Sequence, residues 1–479
     1  MQCNMKQIVL LLMMCFPTLL WGNEVVQNGI SYSIDEEKGT AEVIGYDQSS
    51  SYVTIPSTIN VDGKVYSVVS IGKDAFDRSD KLLEVTIEDG VEEIKKYAFY
   101  ACRYLRSVKL PATLKSVGSY AFWNSLSLSN IYIPASLTDL SATAFTEGGM
   151  SAYEVSPDNP VYSSEDGIMF NKDKTELLHF PAKKQVESYS IPKTVEKIGK
   201  FAFESNQLNE VIFHDKLLSI DDYAFFLCEK LEKADVPNSV EFVGESAFSR
   251  CYNLKEAHLP EKLTAISPGL FEYGYKLEKV NIPSTVTSIG KSAFRYCRKM
   301  NDLRLPEGLV EIGDEAFNGW EMTSLVIPNS VTTIGRQAFD GCTELKSLVL
   351  GNSVSKIGQN AFYYNRELRE IDILSEDYYY VTTYQFKSCN AVEYVNLPDT
   401  DWARKVLISL DSEYKRRYWS YETDANGKVV KLLEIATAID APNVTMDMKD
   451  KTIFDLKGNR LSHVEKGVNI VNGKKVLVR

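Results

Sequence analysis

The dipeptide Ala-Phe recurs at Phe76, Phe99, Phe122 and Phe145, and again at Phe203, Phe225, Phe248, Phe294, Phe317, Phe339 and Phe362, with neighbouring copies 22 or 23 residues apart. Phe271, as Leu270-Phe271, fills the one gap in the second run, and Phe386, as Gln385-Phe386, closes it one residue late, giving thirteen units. A period in the twenties marks one supersecondary element per unit. Such an element cannot bury its own apolar face, so it is stable only when neighbours stack into a continuous ladder. Function in such a chain is a property of a surface.

The unit from Leu277 to Lys299 shows the pattern, with Leu277, Val280, Ile282-Pro283, Val286, Ile289-Gly290, Ala293-Phe294 and Cys297 at apolar or small positions. Val280 and Ile282 alternate with polar neighbours and end at a proline, which predicts a short strand stopped where no further ladder hydrogen bond can form. Val286 to Ile289 predicts a second short strand ending at Gly290, a column shared by Gly72, Gly118, Gly199, Gly244, Gly313, Gly335 and Gly358. Glycine there implies a positive φ or a tight corner. The Ala-Phe segment is then an irregular or single-turn helical side, with phenylalanine as the core plug.

Over residues 66–398 this pattern resembles the BspA-like leucine-rich repeat of secreted and surface proteins from anaerobic Gram-negative bacteria of the gut and mouth. The stretch from Gly29 to Tyr66 also resembles the opening segment of that family. The resemblance implies a mainly β, right-handed solenoid of about 13 coils with short parallel strands, and a surface that binds other macromolecules, adhesion being the best-known role.

Lys6 precedes the apolar run Ile8 to Leu20, too short to span a bilayer comfortably, so residues 1–22 read as a cleaved secretory signal. No later stretch is apolar enough to form a transmembrane span. The formal net charge is −12, and removing Lys6 with the signal makes it −13. That balance argues against nucleic acid and fits an exported protein. Cell surface or secreted is the expected location, with the periplasm as the alternative, and a monomer the expected state. Of the eight cysteines, Cys3 and Cys15 lie in the signal; Cys102, Cys228, Cys251, Cys297, Cys342 and Cys389 each fall three residues after a repeat phenylalanine. Recurrence at one register predicts a column of small buried thiols rather than bridges or a metal site.

Residues beside the inward Val position of each strand face solvent. One such column reads Glu84, Ser107, Asn130, then Glu210, Lys233, Glu256, Lys279, Asp302, then Ser324, Ser347, Glu370, Tyr394. Its alternating signs from Glu210 to Asp302 suit a self-neutralising ladder or a binding face. The next column, including Thr54, Lys109, Tyr132, Ile212, Asp235, His258, Arg304 and Val326, has no uniform chemistry and suits an irregular protein partner better than a repeating polymer. Tyr378, Tyr379, Tyr380 and Tyr384 form the candidate ligand contact, as an interface or a sugar-stacking platform. Tyr100, Trp123, Phe226, Tyr252, Tyr296, Tyr363 and Tyr364 are read as cladding of the outer edge.

The interval of 58 residues from Phe145 to Phe203 breaks the period. Val161 to Ser164, Ile168 to Asn171 and Leu177 to Phe180 predict a β-hairpin insert within residues 146–190, turning at Asp166-Gly167 and Lys172 to Lys174. Asp158, Asp166 and Asp173 lack the close alternating spacing of a calcium loop. The remaining divisions are an N-terminal β cap at 23–65, a C-terminal cap at 399–440 and a β tail at 441–479, where Asn472-Gly473 signals a hairpin. The tail loosely resembles sorting domains cleaved during outer-membrane secretion, although Asn469 stands where that pattern carries an aromatic.

His179, His214, His258 and His463 are dispersed, and none accompanies a nucleophile motif, a P-loop or a zinc helix. The expectation is therefore a non-enzymatic interaction protein without cofactor or metal, acting as a cell-surface adhesin for host or bacterial proteins. The alternatives are a glycan-binding protein of the surface or periplasm, and a structural envelope component.

Overall fold

Alternating Val and Ile make the strands, and the prolines end them. In the computed structural model the described residues are 24–301, 304–374, 380–381, 385–392 and 394–396, with strands further on at Tyr418–Thr423, Val429–Ile435, Ile453–Phe454, Arg460–Leu461, Gly467–Val471 and Lys474–Val478. No described residue is helical. The chain divides into two units, residues 1–185 with 199–206, and residues 186–198 with 207 onward.

In the first unit, Glu24–Gln27, Ile30–Asp35 and Thr40–Tyr46 form an antiparallel meander. Thr40–Tyr46 then pairs in parallel with Lys64–Ile71, which starts the ladder Glu93–Ile94, Ser116–Val117, Asp139–Leu140. On another side of the coil run Tyr52–Ile55, Glu84–Ile87 and Ser107–Lys109, and Asn130–Ile133 with Ala152–Val155, all parallel. The insert is an antiparallel meander of Tyr162–Glu165, Ile168–Asn171 and Glu176–His179. Glu165 pairs with Ile168 across Asp166 (φ 50) and Gly167 (φ 77), a two-residue loop whose positive φ values match the twist of a hairpin.

The second unit repeats both ladders. One contains Ser188–Ser190, Glu210–Ile212, Lys233–Asp235, Glu256–His258 and Lys279–Val280, and resumes with Ser324–Val326, Ser347–Leu350, Glu370–Ile373 and Tyr394–Asn396. The other runs from Ala265–Ile266 through Ser288–Ile289, Glu311–Ile312, Thr333–Ile334 and Lys356–Ile357 to Tyr380–Val381. Beyond the last coil, Val429–Ile435 pairs antiparallel with Tyr418–Thr423 and lies beside Tyr394–Asn396. In the tail, Gly467–Val471 and Lys474–Val478 form a hairpin with Val471 opposite Lys474.

From Pro111 to Pro328 each repeat proline does more than stop a strand: its carbonyl accepts the N–H three residues on, as in Val286 N to Pro283 O at 3.1 Å and Val331 N to Pro328 O at 3.1 Å. That bond turns the chain into the second strand. The Ala-Phe side is a third ladder, built from turns. Phe99 N donates to Ala121 O (2.8 Å), Phe294 N to Ala316 O (2.8 Å) and Phe339 N to Ala361 O (2.7 Å), each acceptor in the following coil. Around every repeat phenylalanine but Phe145 and Phe386 the residues two before and two after adopt positive φ, as at Tyr97 (63) and Ala101 (54), or Ser292 (54) and Tyr296 (60). These left-handed residues aim the intervening N–H groups along the stack, which a helical turn could not do.

All thirteen repeat phenylalanines are buried, none more than 5% exposed. Their rings stack almost face to face, Phe99 on Phe122 at 5.1 Å and 3°, Phe294 on Phe317 at 5.3 Å and 4°. Burial of each contributes about 1.5–3 kcal/mol. Three residues on, the cysteine column answers a specific need. Cys102 Sγ lies 3.1 Å from Phe76 O, Cys251 Sγ 3.2 Å from Phe225 O, and Cys297 Sγ 3.1 Å from Phe271 O, so each thiol donates to the carbonyl of the preceding plug. The six described cysteines are free and buried, and burial pushes the Cys102, Cys342 and Cys389 thiols up to about 12. Asn365 fills the same slot with neither amide atom paired.

The glycine column has a cause other than φ. Gly118, Gly244, Gly290, Gly313, Gly335 and Gly358 are all absent from the positive-φ residues. A Cβ on Gly335 would stand 2.4 Å from Asp314 N and 2.5 Å from Gly313 C, and one on Gly358 2.4 Å from Arg336 N. Adjacent coils touch backbone to backbone here, so the tight corner, and not backbone handedness, excludes a side chain. Gly335→Ala is therefore expected to destabilise by about 1–3 kcal/mol through overpacking, read as a fall in denaturant midpoint. Asn365→Ser, which replaces two unpaired buried polar atoms by one small donor, is expected to raise it by about 0.5–2 kcal/mol.

Candidate interaction surface

Strand pairing aligns the outward residues into the columns the periodicity implies. Glu210 lies opposite Lys233, Lys233 opposite Glu256, and Glu256 opposite Lys279. Lys279 Nζ reaches Glu256 Oε1 at 2.9 Å, and this hydrogen bond holds the Glu256 carboxyl below its ordinary value. Lys233 instead bonds Asp235 of its own strand at 2.5 Å, leaving Glu210 outside the ion-pair chain. The ladder is thus only partly self-neutralised, and Asp302 lies outside the described residues. Alongside it, Ile212 (46% exposed) and Val326 (63%) present apolar bulk among exposed Asp235 and His258, and in the first unit Tyr132 is 48% exposed on its own strand.

Tyr378, Tyr379 and Tyr384 lie outside the described residues. Tyr380 opens the strand Tyr380–Val381 and pairs with Lys356 in backbone register. The outer edge carries more organised chemistry than cladding. In the first unit Tyr100 stacks on Trp123 at 4.5 Å and Tyr97 on Tyr120 at 5.6 Å. In the second, Arg250, Arg295 and Arg298 lie over the rings of Tyr273, Tyr275 and Tyr296 at 5.0–5.9 Å. Sequence reading missed this lattice, because aromatic and arginine positions alternate between registers and only the coil geometry superposes them.

The histidines stay apart. His258 is exposed, His214 Nε2 lies 2.9 Å from Pro192 O, His179 is buried with its ring stacked on Tyr153 at 5.5 Å, and His463 lies outside the described residues. Among the described residues no group of three or more His, Cys, Asp or Glu could hold a metal ion, and no helix is long and apolar enough to cross a membrane. Asn159 is fully buried: its amide donates to Pro134 O and Leu137 O, both at 2.8 Å, and accepts from Val161 N and Tyr162 N. It fastens the insert to the preceding coil. Nearby, Glu204 is buried, accepts Glu147 N–H at 2.8 Å, and has its carboxyl pushed up to about 8 by desolvation. Burial lowers the His179 imidazole to about 4.

Stacked parallel ladders around a phenylalanine column define a β-solenoid of leucine-rich repeats. The chain belongs to the BspA type leucine rich repeat family, whose model matches residues 69–183, 176–301 and 310–402, six copies in all. It is similar in fold to a leucine-rich repeat protein from Eubacterium ventriosum, with 20% identity over 76% of this chain and 98% of that one and a TM-score of 0.53. A leucine rich cell surface protein from Faecalibacterium prausnitzii matches at 20% identity over 82% and 98%, TM-score 0.47. A leucine-rich repeat protein from Bacteroides ovatus matches at 24% over 73% and 94%, TM-score 0.42. No sequence among curated proteins matches significantly.

The two buried groups give stability opposite pH dependences. A carboxyl whose pKa rises on folding stabilises fully below its unfolded value and loses that contribution as pH rises through about 8. A histidine whose pKa falls on folding stabilises above its ordinary 6.5 and loses that contribution as pH falls through about 4. Above the ordinary histidine value His179 is neutral folded or unfolded, so the interval up to about 8 isolates Glu204. The melting temperature is expected to fall with rising pH there, and Glu204→Gln, which keeps an acceptor for Glu147 N–H, is expected to flatten that slope.

Proposed function

We propose that this protein is exported and acts, as a monomer and without catalysis, as a cell-surface adhesin that grips a host or bacterial protein through its solenoid. The observation that carries this reading is the exposed strand face of the second unit, where Ile212 and Val326 stand in open solvent among the unlike side chains Asp235 and His258. A repeating polymer is matched by a repeating column; unlike neighbours at fixed spacing suit the irregular relief of a folded partner. The family's repeat architecture, the apolar run after Lys6 and the acidic balance support export.

Protease and antibody access on intact cells tests the location. Shaving from unbroken cells is the expected result, followed by saturable binding of the purified chain to a host or bacterial protein that free sugars do not displace. Access only after outer-membrane disruption would make it a periplasmic scaffold and end the adhesin reading.

A further inference from the structure

The structure assigns a second, more specific contact: an outer-edge patch formed by Arg250, Tyr252, Tyr273, Tyr275, Tyr296 and Arg298, which docks an extended acidic segment of a partner protein. This rests on the interaction-protein reading above and names the chemistry of the partner.

The patch spans three consecutive coils of the second unit. The Arg250 guanidinium lies over Phe226 at 5.5 Å and Tyr273 at 5.4 Å, and that of Arg298 over Tyr275 at 5.9 Å and Tyr296 at 5.7 Å. The rings are themselves ordered, Tyr252 stacking on Tyr275 at 5.5 Å and Tyr273 meeting Tyr296 at 5.4 Å. The neighbouring Arg295 is neutralised by Glu272 at 3.3 Å and Glu315 at 3.4 Å. Arg250 and Arg298 differ from it: among the described residues neither has a carboxylate at ion-pair distance. Exposed Lys276 adds a third cation, its Nζ held by the neutral Asn253 Oδ1 at 2.7 Å. The Glu272 carboxylate, bonded to Arg295, also feels the Arg250 charge through space, but no carboxylate pairs with Arg250 or Arg298 directly, so in a chain of net charge −12 this is a locally positive spot.

Arg250 (φ 60), Tyr273 (φ 61) and Tyr296 (φ 60) sit at the left-handed position two residues after the repeat phenylalanine, a register that takes side chains of any size, Asn124 and Gly319 but also Arg78 and Leu227. Both arginines are exposed and lie over rings rather than against a carboxylate, so their N–H groups can fork a carboxylate of a partner, with tyrosine surface beside them that loses little entropy on contact. Arg250 and Arg298 lie two coils apart, an axial rise of about 10 Å at the parallel-strand spacing, which an extended polyproline-II-type peptide covers in about three residues at about 3.1 Å each while returning its carboxylates to one face. The patch also ends: Tyr296 leans into the space over Gly319, where a Cβ would meet its ring at 2.5 Å. A bounded spot of this kind fits a short peptide segment better than a long polymer.

The test is fluorescence anisotropy of the purified chain with a labelled peptide carrying two glutamates three residues apart around a tyrosine, a twin with glutamine in their place, and a heparin oligosaccharide. The acidic peptide is expected to bind, and Arg250→Gln with Arg298→Gln to weaken it about tenfold or more without moving the melting temperature. Tyr275→Ala, at a 41% exposed ring, is expected to weaken it separately. Equal binding of both peptides, no effect of the double arginine variant, or binding of heparin but not peptide would each overturn the proposal. Because the measurement uses isolated protein, its failure leaves cell-surface display standing, and failure of display leaves the patch standing.

Discussion

A coil of 22 or 23 residues has too few neighbours within itself to satisfy its own backbone, so every architectural feature of this chain follows from handing hydrogen bonds to the next coil. Two sides do this as parallel strands. The third does it with left-handed residues around each phenylalanine, so that Phe99 N reaches Ala121 O and Ala101 N reaches Trp123 O, 2.8 and 2.7 Å away. Once three ladders advance together by one coil, side chains at equal register must stack. The phenylalanine column is the largest consequence, and its near-parallel rings are imposed by the backbone rather than chosen by the rings.

The same constraint explains why small positions are selective in different ways. Where the second strand turns, coils approach until backbone touches backbone, and Gly335 is needed for what it lacks. Where the phenylalanine carbonyl points toward the following coil, a compact donor is needed, and cysteine supplies one at Phe76, Phe225 and Phe271 while burying as readily as an apolar group. Both needs are set by distance, about 5 Å between coils. Neither needs a disulfide, a metal or a special redox environment.

Legibility in the sequence tracked periodicity. The phenylalanine plugs, the proline-ended strands, the free thiol column and the hairpin at Asp166-Gly167 recur, or are local enough to read from spacing and turn chemistry. The glycine column was readable as important but ambiguous between φ and proximity, because both make glycine the answer and only the neighbouring coil distinguishes them. The left-handed pairs were invisible: Tyr97, Phe201, Glu315 and Arg250 are poor signals for positive φ, and tertiary hydrogen bonding overrides their local preference. The role of Asn159 was invisible for the opposite reason, as it is a single non-repeating residue whose partners Pro134 and Leu137 lie 25 and 22 positions earlier. Of the candidate tyrosines, Tyr378, Tyr379 and Tyr384 lie outside the described residues.

What the ladder leaves free is where specificity can reside. Inward registers admit less variation: every plug is phenylalanine, the residue before it is alanine except at Leu270 and Gln385, and the slot three on holds cysteine or, in the main, another small or hydrogen-bonding residue. Outward registers answer to no such constraint, and there the chain varies from Glu210–Lys233–Glu256 on the strand face to the arginine–tyrosine lattice on the outer edge. The two faces differ in kind. On the strand face, charges of opposite sign can meet one another at exposed positions, where such pairs contribute little and are screened by salt. On the outer edge, guanidiniums stacked on rings are held in place by an uncharged surface, so their charge remains available to a partner. A scaffold whose interior is repetitive can therefore hold a non-repetitive site, provided the site is written on outward side chains and leaves the backbone groups of the same residues, such as Arg250 N and Tyr273 N, to the coil-to-coil bonds.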